Sequence, residues 1–200
     1  MQFEEKDIAY PPVHPGTDRT FIRFYGGEPD LNSIFYSSEE ENSPQRIFVT
    51  DTNVASLKQM QPFVNFFRGE NYSQPKIENG FIGTRGKDVL LILGSGEPFK
   101  TIESVLAICK AAIDSNAKRS AVFTGIGGGV ITDMTAFAAS IFKRGATCEL
   151  VPTTLLSMVD AAIGGKTGCD FDSYKNMIGS FFPAQKIHII PSFIQSLPEN

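Results

Sequence analysis

The chain has 200 residues, of which 42% are hydrophobic and 20% are charged, and its formal net charge is -4. This length and composition allow one sizeable α/β core or two small ones. The 18 lysines and arginines are scattered without a basic run, so the sequence predicts no nucleic-acid partner.

Cysteine spacing and the amino-terminal sequence indicate the cellular compartment of the protein. Cys109, Cys148 and Cys169 are odd in number and form no C-x-x-C pair, which argues against a disulfide framework and a zinc ribbon. The first residues, MQFEEKDIAYPP, do not form a signal peptide, and nowhere do 18 apolar residues follow one another. We therefore expect a cytoplasmic protein that neither is exported nor spans a membrane.

The predicted elements begin with a peripheral strand-and-loop segment over residues 1–45. Its alternating stretch, residues 21–25, predicts a strand, and the proline-rich and polar flanks favour an edge position. His14 lies among prolines and His188 lies in a later strand, and neither has the spacing of a metal ligand. Both histidines are therefore interpreted as structural.

From residue 46 onwards, short apolar runs alternate with helical patterns. The runs that predict strands are 46–50, 89–93, 120–123 with its neighbours, 149–151 and 187–190. The segments that predict helices are 54–68, 99–115, the stretch that follows the glycines at 127–129, and 153–163. Strand and helix in alternation, with unbroken apolar strands, are typical of a Rossmann-like parallel sheet flanked by helices.

The loops that follow these strands are rich in polar residues and glycine. Ligands of an open parallel sheet bind beyond the carboxyl ends of its strands. Four loops are expected to converge there: 51–53, 94–100, the glycine stretch, and 152–154.

The glycine stretch, GIGGGVITDMTAFAASIFKRG from Gly125, does not match the standard phosphate-binding motifs. G-x-G-x-x-G fails because Val130 stands where the third glycine belongs, and a P-loop ending at Gly165-Lys166-Thr167 fails because Asp160 replaces its first glycine. A glycine-rich helix start still offers free N–H groups to an anion, although a plain turn explains the glycines equally well. Residues 130, 134, 137, 138 and 141 predict the core face of the helix.

The segment 160–176, DAAIGGKTGCDFDSYKN, predicts a glycine-containing loop with an unusual number of polar side chains. Each of its lysines, Lys166 and Lys175, could also be an ordinary solvated lysine. Glu97 and Lys100 could likewise form only a local ion pair, and Arg144 could interact only with a helix dipole.

Taken in order, the motifs resemble the 3-dehydroquinate synthase family of sugar-phosphate cyclases. The resemblance covers most of residues 46–199 and rests on SGEPFK, GGGVITDMTAFAA, KRG, VPTTLLSMVDAAIGGKTG, KNMIGSFF and SFIQSLPE. It implies an NAD-binding α/β domain over residues 1–200, with residues 185–200 leading to a helical, metal-binding C-terminal domain outside this chain.

The resemblance also implies an activity. Members convert 3-deoxy-D-arabino-heptulosonate 7-phosphate to 3-dehydroquinate and phosphate in the shikimate route, with NAD as a catalyst and a divalent metal, zinc or cobalt. Cations must hold the leaving phosphate in such a reaction. No metal ligand is predicted within this chain, and a homodimer is implied.

Site residues follow from the resemblance position by position. The implied catalytic residues are Asp160, Lys166, Asn176 and Arg144, of which Arg144 reaches the substrate phosphate of a neighbouring subunit. The implied NAD contacts are Asp51, Asn53, Ser95, Gly96, Glu97, Lys100, Gly128, Gly129, Val130, Asp133, Thr153, Thr154, Lys175, Phe193 and Ser196.

The sequence departs from the family in three places. Thr132 and Ala136 stand where many members have glycine, and Pro191 replaces an aspartate after the last strand. We expect a fragment that is inactive without its C-terminal half. The alternatives are a sister cyclase acting on sedoheptulose 7-phosphate, a stand-alone NAD-binding module and an iron-dependent alcohol dehydrogenase, which the Lys166–Asn176 segment fits poorly.

Overall fold

The computed structural model describes residues 3–9, 19–36, 43–67 and 81–197. The helices within these ranges are α1 (Leu31–Tyr36), α2 (Thr52–Ser56), α3 (Gln61–Phe66), α4 (Ile102–Asp114) and α5 (Gly129–Ile141). The strands are β1 (Phe3–Ala9), β2 (Arg19–Tyr25), β3 (Arg46–Asp51), β4 (Phe81–Arg85), β5 (Asp88–Leu93), β6 (Val122–Gly127), β7 (Thr147–Pro152), β8 (Lys166–Phe171), β9 (Tyr174–Phe181) and β10 (Lys186–Ile189).

Most of the strands form one large sheet in the order β1-β2-β10-β7-β6-β3-β5-β4. The six strands from β2 to β5 in this order pair in parallel, and the outer strands β1 and β4 pair antiparallel. Strands β8 and β9 form a separate antiparallel hairpin. The predicted α/β fold with a largely parallel sheet is therefore confirmed.

Helices α4 and α5 pack on one face of the sheet. Along β6, Phe123 contacts Phe142 just beyond α5, and Gly125 and Gly127 lie beneath Thr135 and Ile131 of the helix. Successive side chains of a strand alternate between faces, so Thr124 points to the other side. The absence of side chains at the two glycines lets α5 lie close against β6.

The other face carries α1, α3 and an aromatic cluster. Phe48 of β3 contacts Phe63 and Phe67 edge-on at 5.0 and 5.6 Å between ring centres, and Phe35 of α1 lies 5.1 Å away. Burying a large apolar side chain contributes about 1.5–3 kcal/mol, so this cluster is a major source of stability.

A chain of buried polar groups crosses the same face. Arg46 Nη1 donates to Glu149 Oε2 at 2.9 Å, His188 Nε2 lies 3.4 Å from the same oxygen, and the Tyr25 hydroxyl lies 2.8 Å from His188 Nδ1. Burial disfavours the ionised form of Glu149, but its contacts with His188 and Arg46 outweigh burial and lower its pKa to about 2. Burial lowers the pKa of His188, so the pair at neutral pH is a neutral imidazole beside a carboxylate neutralised by Arg46.

Several sequence-based predictions of secondary structure need correction. Strand β2 is not an edge strand, because β1 covers its outer side. The helix predicted over 54–68 is split into α2, a 3₁₀ turn (Lys58–Met60) and α3, with Pro62 in the first turn of α3, and residue 68 lies outside the described residues. The helix predicted over 153–163 is mainly a π-helix, Ser157–Ala161.

Two further predictions need correction. The segment after Gly165 is not a loop, since it forms the β8–β9 hairpin. The core face predicted for α5 is confirmed at Met134, Phe137 and Ala138, which are buried, but is wrong at Ile141, which is 43% exposed. The helix is also buried on its other sides, for example at Thr132 and Ala136. His188 is buried as predicted, and His14 lies outside the described residues.

The three cysteines are free thiols within the fold. Cys148 and Cys169 are fully buried and Cys109 is half-buried. Burial raises the pKa of Cys109 to about 11 and also raises the pKa values of Cys148 and Cys169. None of the described helices has the length and apolar character needed to cross a bilayer.

Candidate functional site

The loops that follow four neighbouring strands meet at one edge of the sheet. Strands β7, β6, β3 and β5 are adjacent and parallel, so their carboxyl ends lie side by side. This arrangement confirms the convergence expected from the sequence. A crevice outside such an edge is where ligands of open α/β sheets bind.

The amino end of α5 offers a place for an anion. Gly128 is its N-cap, and no side chain caps this end. Free N–H groups at a helix start carry the positive end of the dipole. A Cβ on Gly129 would meet only Ala161 Cβ, at 3.7 Å, and Gly128, Gly129 and Val130 are each partly exposed.

The loop after β7 lies beside this helix start. Thr153 N donates to Gly127 O at 2.9 Å, and the Thr154 methyl group lies 3.2 Å from the position that a Cβ on Gly128 would occupy. The Thr154 and Ser157 hydroxyl groups are hydrogen-bonded at 2.9 Å. The predicted contacts Gly128, Thr153 and Thr154 are thus brought together.

The loops after β3 and β5 place the remaining polar groups. Asp51 is buried and accepts from Val54 N at 2.9 Å, so it caps α2, whereas Asn53 is exposed. Burial raises the pKa of Asp51. After β5, Ser95 and Gly96 lead to Glu97, whose carboxylate lies 3.1 Å from Lys175 Nζ.

Lys100 connects three elements of the site. Its buried ammonium donates to Asp133 Oδ2 of α5 at 2.7 Å and to Asn176 Oδ1 of β9 at 2.6 Å. The local Glu97–Lys100 ion pair considered from the sequence is therefore not formed, since each residue has a distant partner. Burial raises the pKa of Asp133, and the Lys100 ammonium opposes this rise.

A cavity of about 500 Å³ opens next to Lys100 and the amino end of α5. Asp133, Asp160, Lys166 and Asn176 line it, together with Met177 and other residues of the β8–β9 hairpin. Three of the four predicted catalytic residues thus share one cavity with a predicted cofactor residue. Anionic, cationic and amide side chains around one space can orient a polyhydroxylated, phosphorylated ligand.

Several predicted residues do not line this cavity, among them Arg144, Phe193 and Ser196. Arg144 follows the carboxyl end of α5, about 20 Å along the helix from Gly129. Phe193 is buried and lines a separate cleft of about 180 Å³, and Ser196 Oγ donates to Phe193 O at 2.6 Å. Among the residues that the structure describes, no three His, Cys, Asp or Glu side chains come together as metal ligands.

Sequence reasoning missed one residue of this region. Asp170 accepts from the backbone N of Asn176 at 2.7 Å, and its own N donates to Lys100 O at 2.8 Å. The available signal was its place in the polar segment 160–176, but the bend in β9 that brings it to Asn176 has no sequence signature.

Known proteins with similar sequences are 3-dehydroquinate synthases. A family described as 3-dehydroquinate synthase N-terminal matches residues 90–200. The 3-dehydroquinate synthase of Thermococcus kodakarensis is 37% identical over 168 residues, which are 84% of this chain and 43% of the relative. That of Wolinella succinogenes is 47% identical over 103 residues, which are 52% of this chain and 30% of the relative. The matched residues thus cover less than half of the length of these curated relatives.

Solved structures share the fold. A crystal structure of 2-deoxy-scyllo-inosose synthase matches 98% of this chain and 49% of its own, with a TM-score of 0.72 and 21% identity. The 2-epi-5-epi-valiolone synthase of Streptomyces hygroscopicus, solved with NAD+ and Zn2+ bound, matches 88% of this chain and 44% of its own, with a TM-score of 0.66 and 28% identity. Because the family match covers more than half of its residues, the chain belongs to the 3-dehydroquinate synthase family.

Proposed function

We propose that this chain is the NAD-binding portion of a 3-dehydroquinate synthase, which converts 3-deoxy-D-arabino-heptulosonate 7-phosphate to 3-dehydroquinate and phosphate. The observation that carries the proposal is the cavity shared by Asp133, Asp160, Lys166 and Asn176, directly beside the open amino end of α5. The identity to curated 3-dehydroquinate synthases supports the choice of reaction.

The residues present fit NAD. The amino end of α5 has no side-chain cap, and Gly128 and Gly129 bring no Cβ against an approaching pyrophosphate. In this assignment Asp51 and Asn53 lie towards the adenosine end of NAD, Glu97 and Lys100 towards its ribose, and Asp133 towards its nicotinamide side. Lys175, Phe193 and Ser196 remain further predicted contacts of the cofactor.

NAD supplies reversible hydride exchange with a substrate alcohol. The chain's own residues hold the substrate: the Lys166 ammonium attracts its phosphate, Asn176 offers an amide to its hydroxyl groups, and Asp160 of the same cavity orients it. Transient oxidation acidifies the neighbouring C–H, and positioned cations stabilise the departing phosphate. The described residues show no metal-ligand group, so no step is assigned to a metal within this chain.

Arg144 and the homodimer remain part of the proposal. Arg144 is exposed and has φ of 66°, next to Lys143 with φ of 47°. Backbone strain of this kind is often retained where a side chain must be presented for function. We expect Arg144→Ala to lower the activity of the homodimer, and mixing it with Lys166→Ala subunits in the assembled enzyme to restore part of it, because one site of the mixed dimer then has both residues. Failure of such mixtures to regain activity would contradict a role across subunits.

The first test is a calorimetric titration of NAD into the 200-residue chain. We expect saturable binding at one site, weakened at least tenfold by Lys100→Met because a buried contact beside the cavity is lost. The match covers only 43% of the Thermococcus relative, so we also expect no turnover of the heptulosonate phosphate without the remaining part of the enzyme. Saturable binding combined with turnover by the chain alone would overturn the expectation of inactivity.

The same measurements separate the alternatives. A stand-alone module would bind NAD tightly and gain no activity from a C-terminal half. A sister cyclase would turn over sedoheptulose 7-phosphate in the assembled enzyme. The higher identity to 3-dehydroquinate synthases, 37% against 28% for the valiolone synthase, favours the dehydroquinate reaction.

A further inference from the structure

The β8–β9 hairpin contains a break in its ladder beside the cavity. Cys169 pairs with Ile178 and Phe171 pairs with Tyr174, so Asp170 alone stands opposite residues 175–177. Extra residues on one strand form a bulge, which bends the strand and redirects a side chain. The redirected residue here is Asn176, in the middle of the bulge.

Asn176 adopts a left-handed backbone conformation, with φ of 54°. Asparagine tolerates this conformation better than most residues, but it is still unfavourable outside glycine. A bulged residue also loses the regular backbone partner for its N–H group. The conformation therefore needs a local interaction that satisfies this group.

Asp170 supplies that interaction. Its Oδ1 accepts from Asn176 N at 2.7 Å, so a side-chain oxygen replaces the missing carbonyl of the ladder. Asp170 is itself fixed, because its N donates to Lys100 O at 2.8 Å and it forms a bridge with Thr101. The bulge is thus attached to the loop that carries Lys100.

The consequence of this geometry lies at the side chain of Asn176. Its Oδ1 accepts from Lys100 Nζ at 2.6 Å, and the residue lines the cavity. We propose that Asp170 is a positioning residue: its carboxylate holds Asn176 in the left-handed conformation and thereby fixes the amide of Asn176 at the wall of the cavity. Any effect of Asp170 on catalysis rests on the proposed function, whereas its structural role at Asn176 does not.

The test compares Asp170→Ala with Asp170→Asn in the 200-residue chain by NMR. Asparagine keeps a side-chain oxygen that accepts the Asn176 N–H, and alanine does not. We expect Asp170→Ala to speed amide exchange of Asn176 about tenfold and to shift its side-chain amide signals. In Asp170→Asn, the exchange rate and the side-chain signals of Asn176 should both stay close to those of the unmodified chain. Asp172→Asn, in the turn of the same hairpin, is the control for loss of a carboxylate.

The amides of Thr167 and Ser180, which face each other in the ladder, report the hairpin as a whole. If they accelerate as much as Asn176, Asp170 only holds the hairpin together and the proposal is wrong. Unchanged exchange at Asn176 in Asp170→Ala overturns it as well. Because neither readout involves a cofactor, a failure to bind NAD in the titration above would count against the proposed function alone.

Discussion

At the scale of single residues, the site is organised by one buried ammonium. Lys100 joins the loop after β5 to α5 and to the hairpin through Asp133 and Asn176. When a carboxylate inside a protein loses its cation, its desolvation is no longer compensated. The resulting destabilisation is larger than the net stabilisation that the intact ion pair provides. Lys100 is therefore the residue whose loss the structure should tolerate least.

We expect Lys100→Met to lower the free energy of unfolding by about 2–3 kcal/mol, because it leaves the Asp133 carboxylate without its cation. The double variant with Asp133→Asn should recover at least about 1 kcal/mol of this loss. Urea unfolding of both single variants and the double variant measures the coupling. Lys110→Met is the matched control: its ammonium pairs with Asp114 on the surface and is 73% exposed, so its loss should cost under about 0.5 kcal/mol. Additive effects of Lys100→Met and Asp133→Asn would show that the ion pair is not coupled.

The position of Lys100 also shows what the sequence could and could not predict about single residues. Its place in SGEPFK indicated a polar loop at the end of a buried strand. Its partners lie 33 and 76 residues away, and such pairings depend on the packing of α5 and the hairpin. The sequence therefore offers candidate residues for the site, whereas their contacts with one another depend on the fold.

At the scale of elements, the parallel strands and the long helices were predictable from apolar runs and helical periodicity. The antiparallel pairing of β1 with β2 was not, because it depends on contacts between chain segments rather than on a local pattern. The hairpin was missed for a different reason: most of β9 is exposed and Asn176 breaks its alternation, so no period of two appears.

Two glycines where β6 leads into α5 have different roles: Gly127 is needed for packing, and Gly129 is proposed to be needed for binding. In Gly127→Ala the new Cβ would lie 2.6 Å from Ile131 Cβ, so we expect a loss of about 1–3 kcal/mol in unfolding free energy. In Gly129→Ala the Cβ has room, and alanine favours the helix by roughly 0.5–1 kcal/mol.

Gly129→Ala should nevertheless weaken NAD binding, because it adds a methyl group beside the free N–H groups of the helix start. We expect at least a tenfold rise in the dissociation constant, roughly 1.4 kcal/mol. Thermal unfolding and calorimetry on the two variants provide the comparison. A Gly129→Ala chain that binds NAD as well as the unmodified chain would place the anion elsewhere.

At the scale of the whole molecule, the buried chain from Arg46 through Glu149 and His188 to Tyr25 links strands from β3 to β2 across one face of the sheet. The folded state holds the pKa of Glu149 at about 2, below its ordinary value of 4.5. The stability that Glu149 contributes is therefore complete above pH 4.5 and is lost as the pH falls towards 2. His188 acts in the same direction, since its lowered pKa favours the unfolded state once the pH falls below 6.5.

We expect the free energy of unfolding to fall between pH 7 and pH 3. The fall should be about 2 kcal/mol larger in the unmodified chain than in Glu149→Gln, because only the unmodified chain protonates the Glu149 carboxylate. At pH 7, Glu149→Gln should itself be less stable, because Arg46 loses its buried partner. Urea midpoints at pH 7, 5 and 3 measure both effects. Glu103→Gln, an exposed change in the first turn of α4, is the control for removal of a carboxylate elsewhere in the chain. Equal slopes for Glu149→Gln and the unmodified chain would refute the depressed pKa.

The three sheltered thiols make the chain convenient for site-specific labelling. Cys148 and Cys169 are fully buried. The raised pKa of Cys109, about 11, leaves very little of its reactive thiolate form at neutral pH. A fourth cysteine introduced at Met177, which is 59% exposed at the mouth of the cavity, would be the preferred target of a maleimide dye. Fluorescence from that position would report on ligands entering the cavity without removal of any native cysteine.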